Sequence, residues 1–106
     1  MHHDMIAITA EVVAREGHEA KAAELLAGLA AATSHHAGVL RYEVQRQAGN
    51  PRVFMVVELW ADRASLEAHK NTEDMRCFIE AAPAVLEGAW LVREWQGVAA
   101  SVIPAA

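Results

Sequence analysis

Three features that this 106-residue sequence lacks narrow the range of its functions. It has one cysteine, Cys77, which cannot close an intrachain disulfide, and its N-terminus lacks the basic and apolar regions of a signal peptide. These two absences predict a cytoplasmic location. The formal net charge is −5 and no cluster of lysine and arginine is present. We therefore expect neither nucleic acid nor an anionic membrane as a partner, because both depend on basic contacts.

The motifs of common metal and cofactor sites are also missing. The sequence contains no H-x-x-x-H, no cysteine pair, no glycine-rich phosphate loop and no G-x-G-x-x-G. His2 and His3 are adjacent near the N-terminus, but two histidines without a third ligand make a poor metal site. We therefore expect a protein that uses neither a metal ion nor an organic cofactor.

The sequence does have enough apolar material for one domain. Hydrophobic residues make up 54% of the chain and charged residues 22%, a balance typical of a globular protein. The patterned part of the sequence runs from about residue 5 to residue 97. We predict a single domain over 5–97, a disordered N-terminus over 1–4 and a C-terminal tail over 98–106.

Hydropathy patterns predict four strands and intervening helices. The predicted strands are Met5–Ala14, Val39–Gln47, Val53–Trp60 and, after a stop at Gly88, Ala89–Gln96. The predicted helices run from about His18 to His35, from Asp62 to Lys70, and from Thr72 until Pro83 kinks or ends the third, with Asp62 and Thr72 as N-caps. The order β-α-β-β-α-β predicts an α+β, ferredoxin-like fold with a four-stranded antiparallel sheet.

The predicted strands are largely apolar on both faces. In the first strand the even positions from Ile6 to Val12 are all apolar, and so are most of the odd positions. The helices can cover only one face of the sheet, and an uncovered apolar face of this size is typical of an association surface. We therefore predict a two-fold homodimer formed through the sheet face.

The acidic residue near the end of the third strand is a candidate for chemistry. Glu58 shares its strand face with apolar residues such as Trp60, so a buried carboxylate there requires a partner or a raised pKa. Glu58 either has a functional role or pairs with Arg41 or Arg93 and stabilises the sheet.

Histidines at two further places are candidates as well. His69, three residues after Leu66 on one helix face, either exchanges a proton near neutral pH or is a structural residue that interacts with the C-terminal helix dipole or bonds to Thr72. His35 and His36 are predicted in the last turn of the first helix. They either stay solvated beside the helix dipole, or one of them reaches a pocket and assists proton transfer. The sequence leaves these alternatives open.

A longer motif contains several of these residues. The order E-x-W-x-D-x-x-x-L-x-x-H-x-x-T, formed by Glu58, Trp60, Asp62, Leu66, His69 and Thr72, resembles the signature of the antibiotic biosynthesis monooxygenase (ABM) family. The resemblance extends from Ile6 to about Trp95 in the order and length of elements, and it implies a dimeric α+β barrel. Many members carry a second histidine two residues after the threonine, where this sequence has Asp74.

The resemblance implies a cofactor-independent monooxygenase acting on a quinol or aromatic polyketide-like substrate, with molecular oxygen as co-substrate. A deprotonated phenol is electron-rich enough to reduce oxygen, so the protein needs a dry pocket, a base and groups that stabilise the anion. We predict His69 and Glu58 as catalytic residues in a mostly apolar pocket between the helices and the sheet. The predicted substrate-binding residues are Thr9, Tyr42, Trp60, Thr72, Asp74, Met75, Phe78 and Trp90.

Three other functions compete with this one. Related dimeric barrels degrade haem, but they carry a tryptophan at the position of His69 and a histidine near that of Ile79. Others isomerise a small phosphorylated signalling metabolite and share the two-histidine pattern that Asp74 interrupts. A third class is a non-catalytic stress or ligand-binding barrel, in which His69 and Glu58 would be structural.

Overall fold

The strands and helices follow the predicted order. The computed structural model describes residues 4–99, in which β1 spans Ile6–Ala14, α1 Glu19–Thr33, β2 Val39–Arg46, β3 Val53–Trp60, α2 Arg63–Lys70, α3 Glu73–Ala81 and β4 Leu86–Trp95. The sheet order is β2-β3-β1-β4, and every neighbouring pair is antiparallel. The ferredoxin-like α+β fold is confirmed. The predicted disorder over 1–4 and the tail over 98–106 fall almost entirely outside the described residues.

The starts of α2 and α3 are fixed by the predicted caps. The side chains of Asp62 and Thr72 each accept a hydrogen bond from the backbone N–H three residues further on, at 2.8 and 3.2 Å, which satisfies a free donor of the first turn. The third helix ends at Ala81, and Pro83 lies in the single 3₁₀ turn that follows. Within residues 4–99, none of the helices has the length and apolar character of a membrane span.

Two predicted boundaries are wrong. The first helix ends at Thr33, so His35 and His36 lie in the turn after it rather than in its last turn. The last strand begins at Leu86, and Gly88 lies inside it with a φ of +69°. The pairing of β4 with β1 shifts register at this point. A glycine with positive φ permits a bulge as readily as a stop, and local sequence does not distinguish the two.

Two clusters of buried apolar side chains lie between the helices and the sheet. The main core comprises Val12, Ala14, Ala22, Leu26, Leu29, Phe54, Val56, Phe78, Ala82 and Leu86. The smaller α2 cluster comprises Ile6, Ile8, Trp60 and Leu66. The ring of Tyr42 packs against both clusters. Removal of these side chains from water is the main source of the fold's stability.

The strand residues that alternate with the buried ones point away from the helices, and we call this side the free face. On the free face, Leu91 and Trp95 of β4 are 44% and 51% exposed. Met55, Val57 and Leu59 of β3 are partly buried there. The predicted homodimer through the sheet stays a prediction.

Candidate active site around His69

His69 lies in the last turn of α2 with its ring buried among aromatic side chains. Leu66 and His69 are the buried residues of this helix, as expected for two positions three apart. Only 3% of His69 is exposed, and its ring centroid lies 4.6 Å from that of Trp60 and 5.7 Å from that of Tyr42. The structure therefore brings two of the predicted substrate-binding residues to the predicted base.

This burial governs the charge of His69. Removal from water is the main cause that lowers its pKa to about 4; His36 and Lys70 add to the shift and Asp74 opposes it. The imidazole is consequently neutral at neutral pH. A neutral imidazole carries one N–H and one nitrogen with a free lone pair.

Thr72 bonds to the backbone of His69, not to its ring. The Thr72 hydroxyl donates to the carbonyl oxygen of His69 at 2.7 Å and accepts from the backbone N–H of Met75. The backbone N–H of Thr72 also donates to the same carbonyl oxygen, at 3.2 Å. The hydroxyl predicted to bind substrate is thus already engaged at the junction of α2 and α3.

His36 connects His69 to Asp74. The Nδ1 atoms of His36 and His69 are 2.9 Å apart, and Nε2 of His36 lies 2.8 Å from Oδ2 of Asp74. The His36 side chain is 11% exposed and that of Asp74 is 47% exposed. The three side chains therefore form a chain from the buried layer to the surface. Of the two histidines after α1, His36 reaches the site and His35 is exposed.

Gly38 allows the loop that carries His36 to press against α2. Its φ is +80°, and a Cβ at this position would lie 2.3 Å from Cβ of Ser65 and 1.9 Å from Oγ. Its carbonyl oxygen accepts a hydrogen bond from the backbone N–H of Ala61 at 2.8 Å. Only glycine fits both the backbone conformation and the close approach. The loop and α2 are thereby fixed against each other.

Glu58 is buried on the same side of the sheet. It is 8% exposed, and one carboxylate oxygen accepts a hydrogen bond from Nε1 of Trp60 at 2.9 Å. Burial raises the pKa of Glu58, although the bond from Trp60 and the charge of Lys70 oppose the shift. The environment therefore makes this carboxyl easier to protonate than an exposed glutamate.

Glu58 does not pair with either arginine considered in the sequence. Arg41 and Arg93 each stand opposite a residue of the free face, whereas Glu58 faces the helices. Arg41 forms its ion pair with Glu43 instead. The alternative in which Glu58 pairs with one of these arginines is therefore wrong, because adjacent residues of a strand point to opposite sides of the sheet.

Tyr42 completes this group of side chains. It stands directly opposite Glu58 in the pairing of β2 with β3. Burial, and to a lesser extent the nearby carboxylate, raises the pKa of its phenol. Tyr42, Glu58 and His69 are thus three titratable groups whose neutral forms are favoured by the same buried environment.

Four of the predicted substrate-binding residues lie elsewhere. Thr9 is on the free face, where its hydroxyl accepts a hydrogen bond from Nε1 of Trp95 at 2.7 Å. The rings of Phe78 and Trp90 are 5.4 Å apart, with Phe78 in the main core and Met75 and Trp90 packed against it. Both faces of β1 are apolar in sequence, so the pattern did not reveal that Thr9 lies on the face without helices.

An open groove borders the site. It runs between α1 and α3 with a volume of about 370 Å³, and its lining includes Asp74 and the apolar side chains of Leu25, Leu29 and Phe78. The ring of His69 is not part of this lining. This groove lies between two helices and not between the helices and the sheet, so it is not the predicted pocket around His69, which stays a prediction. The aromatic rings close around His69.

No metal centre is formed by these side chains. Both ring nitrogens of His36 are hydrogen-bonded to protein groups. Among residues 4–99, no group of three or more His, Cys, Asp or Glu side chains is placed to hold a metal ion. The absence of a cofactor stays a prediction.

Comparison with known sequences decides the family. The sequence profile of the antibiotic biosynthesis monooxygenase family matches residues 5–81. The chain belongs to the antibiotic biosynthesis monooxygenase family. No functionally curated protein gives a significant match.

Solved structures share the fold of this ABM protein. PA3566 from Pseudomonas aeruginosa is 26% identical, with a TM-score of 0.86 over 93% of this chain and 99% of that one. A Caulobacter crescentus protein described as a candidate antibiotic biosynthesis monooxygenase is 23% identical, with a TM-score of 0.84 over 92% of this chain and 93% of that one. SO0527 from Shewanella oneidensis is 24% identical, with a TM-score of 0.83 over 90% and 92%. The last two similarities show the fold alone.

The sequence left open whether His35 or His36 reaches the site, and it did not predict which residues His36 contacts. His36 is 33 residues from His69 and 38 residues from Asp74, so no local spacing predicts the contact. The one available signal was Gly38, because a glycine shortly after a helix indicates a turn of positive φ that fixes where the chain goes next.

Proposed function

We propose that this ABM protein is a cofactor-independent monooxygenase of a quinol or aromatic polyketide-like substrate, with His69 as the base and molecular oxygen as co-substrate. The observation that carries the proposal is the neutral, buried imidazole of His69 between the rings of Trp60 and Tyr42. Membership of a family that includes monooxygenases supports it.

The proposed reaction takes its electrons from the substrate. In an anthrone-type substrate, a ring methylene becomes a carbonyl group; one atom of O₂ enters the product and the other leaves as water. The substrate must first lose a proton, because the anion is the species that reduces oxygen. The protein's tasks are therefore to bind an aromatic ring, to accept the proton and to stabilise the anion in a water-poor site.

His69 is suited to the first step in spite of its low pKa. That pKa is low mainly because the charged imidazolium would be buried. In the reaction the imidazolium forms together with a substrate oxyanion, and an adjacent opposite charge favours the charged form. The pKa of about 4 thus describes the site without substrate, where it keeps the base unprotonated and ready.

Glu58 and Tyr42 are proposed to stabilise the substrate anion by hydrogen bonds. A carboxyl group whose pKa is raised by burial is more readily protonated and can then donate a hydrogen bond to an oxyanion, and so can a phenol that stays protonated. The bond from Trp60 to Glu58 holds the indole ring and the carboxyl in one orientation. The apolar groove beside Asp74 is the proposed access route for the aromatic substrate, and the homodimer is proposed to cover the free face.

Oxygen uptake with a panel of hydroquinones and anthrones tests this function. We expect the wild type to consume oxygen and His69→Ala to be slower by about 100-fold or more, the usual effect of removing a general base. His35→Ala is the matched control, because His35 is exposed and outside the site. If the wild type and His69→Ala consume oxygen equally slowly, the enzyme proposal fails and a non-catalytic ligand-binding barrel becomes the better description.

A further inference from the structure

For a neutral His36, the bonds of Asp74, His36 and His69 determine where the protons of both imidazoles lie. An aspartate carboxylate only accepts hydrogen bonds, so Nε2 of His36 carries the hydrogen in its 2.8 Å contact with Oδ2 of Asp74. A neutral imidazole has a single N–H, which leaves Nδ1 of His36 without one. In the 2.9 Å contact between the two Nδ1 atoms, His69 must then be the donor.

This assignment leaves Nε2 of His69 with its lone pair free. A base needs an unprotonated nitrogen, and here the hydrogen-bond network, not the ring itself, decides which nitrogen that is. Without the two partners His69 could adopt either neutral tautomer, and in one of them Nε2 would carry a hydrogen and could not accept a proton.

We propose that Asp74 and His36 are a proton relay for His69. The relay holds His69 in its Nδ1–H form. During the reaction it accepts the Nδ1 hydrogen of His69 when Nε2 gains a proton from the substrate. When the substrate O–H bond breaks and a new N–H bond forms at Nε2 of His69, the Nδ1–H bond of His69 breaks and the hydrogen passes to Nδ1 of His36. The positive charge then rests on His36, paired with the Asp74 carboxylate, and His69 is neutral again. The catalytic part of this inference rests on the proposed function, whereas the tautomer does not.

The burial of the three groups favours this direction of transfer. His69 is 3% exposed, so a charge held on its ring lacks solvation. The Asp74 side chain is 47% exposed and solvated, and it contacts His36 directly. The other titratable groups near His69 are Tyr42 across the rings, Glu58 behind Trp60, and Lys70 next in α2. Among these groups, the cation Lys70 disfavours a charge on His69, and His36 is the imidazole in direct contact with the Asp74 carboxylate.

The relay is built into the backbone at both ends. Gly38, with a φ of +80°, holds the loop of His36 against α2. Thr72 bonds the carbonyl oxygen of His69 and caps α3, the helix that carries Asp74. His36 meets two residues whose own separation is fixed by one helix junction.

Nitrogen-15 NMR of the imidazole rings in the full-length protein tests the tautomer without any turnover. In the wild type at neutral pH we expect Nε2 of His69 to be unprotonated and its Nδ1 protonated, with the reverse in His36. In His36→Leu, which can neither accept from His69 nor donate to Asp74, we expect His69 to lose this preference and to show a mixture of tautomers. A protonated Nε2 on His69 in the wild type would overturn the relay.

Kinetics with the best quinol from the oxygen-uptake panel tests the transfer. We expect Asp74→Asn and His36→Gln to lower kcat by about 10- to 100-fold, as for partners that orient a catalytic histidine, with less change in KM. Glu73→Gln is the matched control, because Glu73 is the neighbouring exposed carboxylate and pairs with Arg76. Unchanged kcat in both relay variants would contradict the transfer.

The two proposals fail in different ways. If no quinol supports oxygen uptake but His69 has the expected tautomer, the oxygenase proposal is overturned and the hydrogen-bond assignment is supported. If oxygen uptake depends on His69 but Nε2 of His69 carries the hydrogen in the resting protein, the oxygenase proposal is supported and the relay is overturned.

Discussion

The main core and the α2 cluster fill the same layer between helices and sheet, but they differ in what they bury. The main core contains apolar side chains from β1, β3, β4, α1 and α3. The smaller α2 cluster has the buried imidazole of His69 and the buried carboxyl of Glu58 beside it. The same removal from water that stabilises the apolar cluster raises the pKa of Glu58 and lowers that of His69. Both shifts favour the neutral form of the group. The comparison separates a region that stabilises the fold from one whose burial tunes chemistry.

The strongest test of this separation is a matched pair of cavity-forming substitutions. Leu26→Ala in the main core and Leu66→Ala in the α2 cluster remove equal side chains that are 1% and 2% exposed. We expect each to lower the free energy of unfolding by about 2–5 kcal/mol, measured by urea denaturation. Oxygen uptake per folded molecule should fall in Leu66→Ala only, because Leu66 supports His69. A loss of the same size in Leu26→Ala would remove the distinction.

The pH dependence of stability should reveal His69. Its pKa is about 4 in the folded protein against 6.5 ordinarily, so between these values the unfolded chain binds a proton that the folded chain does not. Stability should therefore fall as the pH drops from 6.5 to 4, by roughly 3 kcal/mol if no other group contributed. Urea denaturation at pH 7.5 and 4.5 should show this component in the wild type and in His35→Gln. An equally steep loss in His69→Gln would assign the effect to other groups.

A substitution at Gly38 tests the close contact between the loop of His36 and α2. Gly38→Ala places a Cβ 2.3 Å from Cβ of Ser65 at a positive φ, and we expect a loss of about 1–3 kcal/mol in unfolding free energy. Combining it with Ser65→Gly removes the clash but not the backbone strain. The double variant should therefore recover part of the loss in a double-mutant cycle. Strictly additive losses would mean that the close approach is not maintained in solution.

The smallest effect is expected at Glu58, and its sign is opposite to that of His69. A raised pKa means that the unfolded chain ionises first as the pH rises, so this residue reduces stability above its ordinary pKa. Glu58→Gln should raise the unfolding free energy at pH 7 by about 1 kcal/mol, since the amide oxygen can still accept from Trp60. Glu43→Gln, at an exposed ion pair, is the control. Reduced stability in Glu58→Gln would show that the carboxylate is stabilised in the folded protein.

Most of the fold could be predicted from the sequence, because the sequence features that determine its strands and helices are local. The β-branched residues of β1 and β3, the caps Asp62 and Thr72, and the proline after α3 each act within a few residues. The error at Gly88 has a physical origin, since a positive φ serves a bulge and a stop equally. For the same reason Gly38 indicated a turn but not the contact with Ser65.

The candidate site could be predicted only in part, because its contacts join residues that are distant in the sequence. The grouping of His69 with Trp60 follows from one strand and the next helix, and the sequence captured it. Whether Glu58 faces the helices or the arginines depends on the side of the sheet to which each residue points. The contact of His36 with His69 and Asp74 joins three separate elements, and only the folded chain reveals it.

The bonds of Thr72 to the carbonyl oxygen of His69 have a consequence for motion. These bonds connect the end of α2 to the start of α3, so the two helices should move as one unit. His36 forms one hydrogen bond to each of them. Movement of α2 and α3 away from Trp60 would have to break both hydrogen bonds of His36 at the same time, so His36 should hold the two helices in place. We expect the backbone amides of α2 and α3 to exchange with solvent in one cooperative step, and to exchange faster in His36→Leu.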